Sequence, residues 1–172
     1  MRNAFRSTVA ILIGLAAAFG GQRARADAAA TPPTTLAVLN LDYVDTSGEP
    51  TDQTAVHQRR AADFVSALQR DLVANGRYRI VPMSCGSESC APVMSPSELQ
   101  TAARAAGVKL VLLGGVHKMS TLIQWAKIQI ADEEQGQVVF DRLVTFRGDT
   151  DEAFSRAADF VGESVRDAVE KR

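Results

Sequence analysis

The sequence predicts an α/β fold in which helices cover a mixed sheet, with the element order β-α-β-α-β-β-β-α. Three observations lead to this class. Two segments are apolar nearly throughout, as strands covered on both faces are. The segments between them place apolar residues at three- and four-residue steps, which is typical of amphipathic helices. A short polar spacer separates the last two strand-like segments, and this favours an antiparallel hairpin.

The first half predicts two strands joined by a helix. Leu36 to Val44 is the first strand, and Asp52 to Asn75 is a helix that ends at Asn75-Gly76. Tyr78 to Val81 is a short second strand. The apolar stripe of the helix comprises Ala61, Phe64, Val65, Leu68 and Leu72.

The middle of the chain predicts a second helix that connects two strands, as the first helix does. Ser95, Pro96 and Glu98 form a strong helix start, with serine at the cap, proline in the first turn and glutamate three residues on. Gly107 ends this helix, and Val108 to Val116 is the third strand. Two right-handed crossovers then make this part of the sheet parallel.

The last third predicts a hairpin and a helix. The hairpin strands are 121–131 and 137–146, and Val138, Phe140, Val144 and Phe146 are expected along one face of the second. Asp149 and Glu152 are a plausible capping pair for the terminal helix. Its apolar stripe comprises Phe154, Ala157, Ala158, Val161, Val165, Ala168 and Val169.

The N-terminus predicts export. Arg2 and Arg6 precede the apolar stretch 7–21, and Ala24-Arg25-Ala26 offers a small-x-small cleavage pattern. The apolar stretch is shorter than the ~20 residues of a spanning helix, although an uncleaved anchor is the alternative. We therefore expect a signal peptide at 1–26, an extended Pro/Thr tether at 27–35 and a single periplasmic α/β domain at 36–172, with no transmembrane segment after cleavage.

Charge limits the partners of the exported domain. The whole chain has 19 basic and 20 acidic residues. Four arginines leave with the signal and no acid does, so the remaining net charge is −5. A domain this acidic lacks the basic footprint of a nucleic-acid-binding protein or of one that binds anionic lipid.

Cys85 and Cys90 are the two cysteines of the chain. In an oxidising compartment the default expectation is a disulfide between them. Zinc binding lacks further ligands nearby, and a thioredoxin-type pair has two intervening residues instead of four. Redox or metal chemistry stays as the alternative.

The segment 106–116, with its apolar strand between Gly107 and Gly114-Gly115, resembles a step of the TolB amino-terminal domain. The opening strand 36–41 and the run 68–82 resemble that domain in the same order, and envelope proteins of the CsgG type share this core. The chain is similar above all to a small secreted proteobacterial family of unknown function, which we associate with periplasmic alcohol-oxidation systems. The TolB propeller is absent here, and the cysteine loop is additional. The resemblance implies a non-enzymatic docking module.

The candidate site residues are few. Asp42, Asp45, Glu49 and Asp52 cluster in the loop after the first strand, where open α/β sheets bind ligands, although their spacing does not match a calcium loop. His57 is expected on the exposed side of its helix without a carboxylate partner, and His117 follows the third strand. Trp125, the single tryptophan, is either core or an anchor for a partner.

Two functions follow from these residues. No nucleophile elbow, phosphate-binding loop or paired-histidine metal motif is present in the sequence, so we predict no catalytic residue and no cofactor. The first reading is a non-catalytic adaptor that contacts a periplasmic or outer-membrane protein. The second is a metal-binding or accessory factor of a periplasmic oxidation system that uses the acidic loop 42–52. A pocket gathering Asp42, Asp45 and His117 favours the second, whereas an exposed apolar patch or free sheet edge favours the first.

Overall fold

The computed structural model describes residues 32–74, 76–83 and 94–170. Within these residues six strands and three helices form in the predicted order, except that the first strand is divided in two. The elements are β1 (Thr34–Val38), β2 (Asp42–Asp45), α1 (Thr54–Val73), β3 (Tyr78–Ile80), α2 (Pro96–Ala106), β4 (Leu110–Lys118), β5 (Ile123–Asp132), β6 (Gln137–Arg147) and α3 (Asp151–Glu170).

The strands form one mixed sheet in the order β3-β1-β4-β5-β6, with β2 also paired to β4. The β3, β1, β2 and β4 strands pair in parallel, and β4, β5 and β6 pair antiparallel. The predicted α/β class and mixed sheet are therefore confirmed. In the part of the chain that the structure describes, β3 and β6 end the strand order, and β2 pairs with β4 alone.

The division of the first strand is an unpredicted feature with a structural consequence. Val38 lies opposite Leu112 and Asp42 lies opposite Gly115, so the first strand inserts one residue more than β4 over this stretch. An inserted residue reverses the alternation of side chains. Tyr43 consequently packs against the main core, while Asp42 and Val44 project from the opposite face of the sheet.

The main core lies between the sheet and the pair α1 and α3. It contains the predicted stripe of α1 and most of the predicted stripe of α3, and from the strands it takes Leu36, Leu112, Val116, Ala126, Ile128, Ile130, Phe140 and Val144. Helix α2 covers the other face of the sheet only around β1 and the start of β4. The smaller core there consists of Ala37, Leu39, Ala103, Val108 and Val111.

Strand β6 departs from the predicted pattern at one residue. Phe140, Val144 and Phe146 face α3 as expected. An irregularity in the ladder between Ile130 and Ala131 places Val138 opposite Ala131. Since a shift of one residue exchanges the two faces, Val138 lies on the other face of the sheet and is 55% exposed.

The helix starts were predicted with unequal success. The Ser95 and Glu98 side chains of α2 form the expected capping box, and Gly107 ends the helix in the left-handed conformation at φ 65°. The prediction that Asp149 and Glu152 cap the start of α3 was wrong. Thr150 Oγ1 accepts the hydrogen bond from the Ala153 amide at 3.2 Å, and Asp149 turns inward to other partners.

None of the helices within the described residues is long and apolar enough to cross a membrane.

Candidate functional site

The sheet face directed away from α1 and α3 is only partly covered in the described structure. We call its uncovered part, beyond the reach of α2, the open face. It carries large apolar side chains that are about half exposed: Val44 50%, Ile123 42%, Val138 55% and Leu143 56%. Singly exposed apolar side chains are common on protein surfaces, so it is the position of these four on one sheet face that indicates a contact surface.

A groove of about 350 Å³ runs across the open face between α2 and strands β2, β4 and β5. A second depression of about 590 Å³ continues along α2 toward the β5–β6 turn and shares Met94, Leu99 and Leu113 with the first. We call the two together the groove. Gly115 lines the first part, and a Cβ there would come within 3.3 Å of the Cβ and carbonyl oxygen of Asp42, so glycine lets β2 lie close to β4.

Asp42 is a charged residue of the groove without a counter-charge. Its side chain forms no hydrogen bond or ion pair with any other described residue. Burial raises the pKa of its carboxyl above the ordinary value. A partly desolvated and unpaired carboxylate is costly, and it would be stabilised by a cationic or hydrogen-bond-donating partner.

Glu133 is a second carboxylate of the groove, at the end opposite Asp42. Its side chain is 5% exposed and lines the second depression. Burial and then the adjacent Asp132 carboxylate raise the pKa of Glu133, against the opposing positive charge of Arg104. No described residue forms a hydrogen bond or ion pair with this carboxylate.

The other polar residues of the groove already have partners. His117 Nε2 lies 2.7 Å from Thr46 Oγ1, and the imidazole packs edge-on against Trp125 with ring centroids 4.9 Å apart. Lys127 forms an ion pair with Asp141 of β6. Trp125 is half-buried on the open face, so it belongs neither to the main core nor to the fully exposed surface.

The predicted acidic cluster does not converge on one point. Asp42 faces the groove, whereas Asp45 and Glu49 turn to Lys118 on the opposite side of the sheet, with Glu49 at 2.7 Å and Asp45 at 3.7 Å. Asp52 accepts the hydrogen bond of the Thr54 amide at 2.9 Å at the start of α1. Within the described ranges, no group of three or more His, Cys, Asp and Glu residues is placed to hold a metal ion.

Sequence reasoning missed a buried ionic cluster at the end of β4. Lys118 is completely buried, and its Nζ lies 2.7 Å from both Asp149 Oδ2 and Glu49 Oε2. Burial alone would lower the pKa of Lys118, but the hydrogen bonds to Asp149 and Glu49 raise it above the ordinary value. A fully buried lysine is expected only when it is paired in this way.

His57 belongs to the same cluster, which corrects the prediction of an exposed histidine. It is 2% exposed, stacks on Tyr43 with ring centroids 4.3 Å apart, and has Nε2 at 2.9 Å from Asp149 Oδ1. Arg60 reaches the same Asp149 oxygen at 2.5 Å. The cluster ties the loop 45–53, the start of α1 and the turn before α3 together, so it acts as a structural clasp.

Cys85 and Cys90 lie outside the described residues, and their disulfide stays a prediction.

Solved structures share the fold. TolB from Acinetobacter baumannii superimposes with a TM-score of 0.50 at 15% identity, over 80% of this chain and 28% of that one. The LpoB C-terminal domain from Escherichia coli has a TM-score of 0.47 at 16% identity, over 65% and 81% of the two chains. Lipoprotein GNA1162 from Neisseria meningitidis has a TM-score of 0.48 at 12% identity, over 81% and 100%. The TolB match confirms the predicted resemblance to the TolB fold.

No curated protein matches this sequence. The DUF3280 family model, described as "Protein of unknown function (DUF2380)", matches residues 34–164, from the first residue of β1 to the middle of α3. This match spans most of the chain and every described strand. The chain therefore belongs to this family of unknown function.

Proposed function

We propose that this chain is a non-catalytic protein-interaction module of the periplasm or cell envelope, and that the open face is its contact surface. The observation that carries the proposal is the sheet face that α2 covers only in part, where Val44 and Val138 line the groove and Ile123 and Leu143 are also about half exposed. Burying such a patch against a partner removes apolar surface from water, at roughly 25 cal/mol per Å².

The free edge of the sheet supports the same proposal. Strand β6 is 11 residues long, and no described strand pairs with its outer side. An additional strand from a partner can pair with such an edge through main-chain hydrogen bonds. The side chains of β6 that face α3 are covered, so the apolar contact would come from the open face, where Leu143 and Val138 lie.

The polar geometry supports a binding function more than a catalytic one. Asp42 and His117 line the groove together, but Asp45 lies on the other side of the sheet with Lys118. His117 is engaged with Thr46 and Trp125. Asp45 and Glu49 both pair with Lys118, Asp52 accepts from the Thr54 amide, and only Asp42 faces the groove, so the geometry does not favour the alternative of a metal-binding accessory factor.

The test is a charge placed on the open face. Leu143→Lys should reduce recovery of the cognate envelope partner at least about tenfold, because a desolvated lysine disfavours an apolar contact. The thermal midpoint should change little, since Leu143 is 56% exposed. Val56→Lys on α1, also at an exposed apolar position, is the matched control and should leave recovery unchanged.

Two results would contradict the proposal. One is equal partner recovery by the two variants. The other is specific turnover of a substrate by the exported chain, lost on changing Asp42, Asp45 or His117.

A further inference from the structure

The groove combines an apolar lining with an unpaired carboxylate at each end. From the arrangement of these charges we infer that the groove docks an extended, apolar segment of a partner protein that carries a basic side chain near each end. This inference rests on the proposed function and specifies the chemistry of the partner.

The shape of the groove favours an extended segment over a compact small molecule. The two depressions share residues and together follow α2 along the open face. Asp42 lies opposite Gly115, while the Glu133 amide donates to the carbonyl of Lys109 at 2.9 Å. Lys109, just before β4, and Gly115 are six residues apart, which is a backbone span of about 20 Å at ~3.3 Å per residue. An extended partner segment covers this span with about six residues.

The charges select a basic partner over an acidic or neutral one. The lysine that lines the groove is already compensated, because Lys127 pairs with Asp141, and Arg104 acts on Glu133 as a nearby positive charge without forming an ion pair with it among the described residues. Asp42 and Glu133 lack such partners among the described residues. Two half-desolvated carboxylates would gain charge-assisted hydrogen bonds from arginine or lysine side chains.

The first depression is lined mainly by apolar side chains, whereas the second adds the polar Ser97, Gln100, Gln129 and Gln137. Leu39, Val44, Met94, Leu99, Leu113 and Trp125 provide most of the apolar lining. In an extended segment alternate side chains face the same way. The matching partner therefore has basic residues six positions apart, with apolar residues at the alternate positions between them.

The experiment uses two peptides and the exported chain. Trp125 is the single tryptophan and lines the groove, so its emission reports occupancy without a label. The acetylated and amidated peptide RTVTVTR places two arginines and two valines on one side, and ETVTVTE is its acidic counterpart. RTVTVTR should shift the Trp125 emission saturably, and binding should weaken as sodium chloride is raised from about 0.05 to about 0.5 M. ETVTVTE should give no saturable shift.

Substitutions then test whether Asp42 and Glu133 are the carboxylates that bind the peptide. The double variant Asp42→Asn, Glu133→Gln should bind RTVTVTR at least about fivefold more weakly, because each lost carboxylate removes an interaction with an arginine. Asp159→Asn, Glu163→Gln makes the same charge change at exposed positions of α3 and should bind like the parent chain. Circular dichroism and the thermal midpoint establish that both double variants are folded.

Several outcomes would overturn the inference. They are equal binding of the two peptides, no binding of either, and equal loss in the two double variants. Self-association of the chain that Asp42→Asn with Glu133→Gln abolishes would assign the groove to a second copy and would also overturn it. If Leu143→Lys still loses the cognate partner while RTVTVTR fails to bind, the partner chemistry is wrong and the proposed function stands.

Discussion

Lys118 shows most clearly how a single residue depends on its surroundings. Its ammonium group is completely buried and compensated by Asp149 and Glu49. Removal of one member of a buried ion pair leaves the partner charges uncompensated, which costs about 3–5 kcal/mol. Lys118→Met should therefore lower the free energy of unfolding by that amount in urea titrations. Lys127→Met, at a 41% exposed ion pair, should cost less than about 1 kcal/mol. Equal losses of unfolding free energy in the two variants would contradict the conclusion that the buried ionic cluster around Lys118 stabilises the fold.

Asp149 gives the cluster a defined pH dependence. Burial raises its pKa, but the hydrogen bonds from Lys118 and His57 lower it, and the net value lies below the ordinary 3.8. A carboxyl whose folded pKa is depressed contributes stability above its unfolded pKa, and this is lost as the pH falls through the folded pKa. The free energy of unfolding should thus decline below about pH 4, and Asp149→Asn should flatten that decline. An unchanged acid slope in the variant would contradict this assignment.

The cluster could be predicted from the sequence only in part. His57 lies four residues before Ala61 and seven before Phe64, so it continues the buried stripe of α1, a signal that would have placed it inside. Its partner Asp149 is 92 residues away, and Lys118 is 61 residues away. Nothing in local spacing joins side chains at such separations, because only the sheet topology brings them together. Asp149 was instead assigned to a helix cap that Thr150 provides.

At the scale of elements, α2 offers a direct test of a predicted feature. Ser95 and Glu98 form the reciprocal capping box that the sequence predicts. Loss of an N-cap side chain costs ~1 kcal/mol. Ser95→Ala should therefore lower the free energy of unfolding by about that amount, whereas Ser66→Ala on the exposed side of α1 should have little effect. Indistinguishable unfolding curves for the two variants would show that the box contributes nothing.

The strands were predicted well in number, type and order but less well in register. Each apolar segment became a strand, because apolar runs of that length must be buried. The residue inserted between β1 and β2 and the irregularity at Ile130/Ala131 left no clear local signal in the sequence. Both change which face a side chain occupies. They place Asp42, Val44 and Val138 on the open face, so the candidate site depends on the features that were hardest to predict.

For the whole molecule, the uneven distribution of helices is the central feature. The sheet has two faces, and α1 and α3 together cover one of them completely enough to bury the larger core. The short helix α2 covers only part of the other. The sequence predicts that helices cover the sheet, but spacing alone does not tell how far an 11-residue helix reaches. The uncovered remainder is the surface on which the proposed contact rests.

The most direct test of this account is site-specific photo-cross-linking in the native cell envelope. A photoreactive phenylalanine analogue at position 143 on the open face is compared with the same analogue at position 56 on α1, both exposed in the isolated chain. The account predicts a discrete cross-linked protein from position 143 and none from position 56. Adding Asp42→Asn with Glu133→Gln should reduce that product. The same cross-linked product from both positions, or a product from position 56 alone, would contradict the claim that the open face is the contact surface.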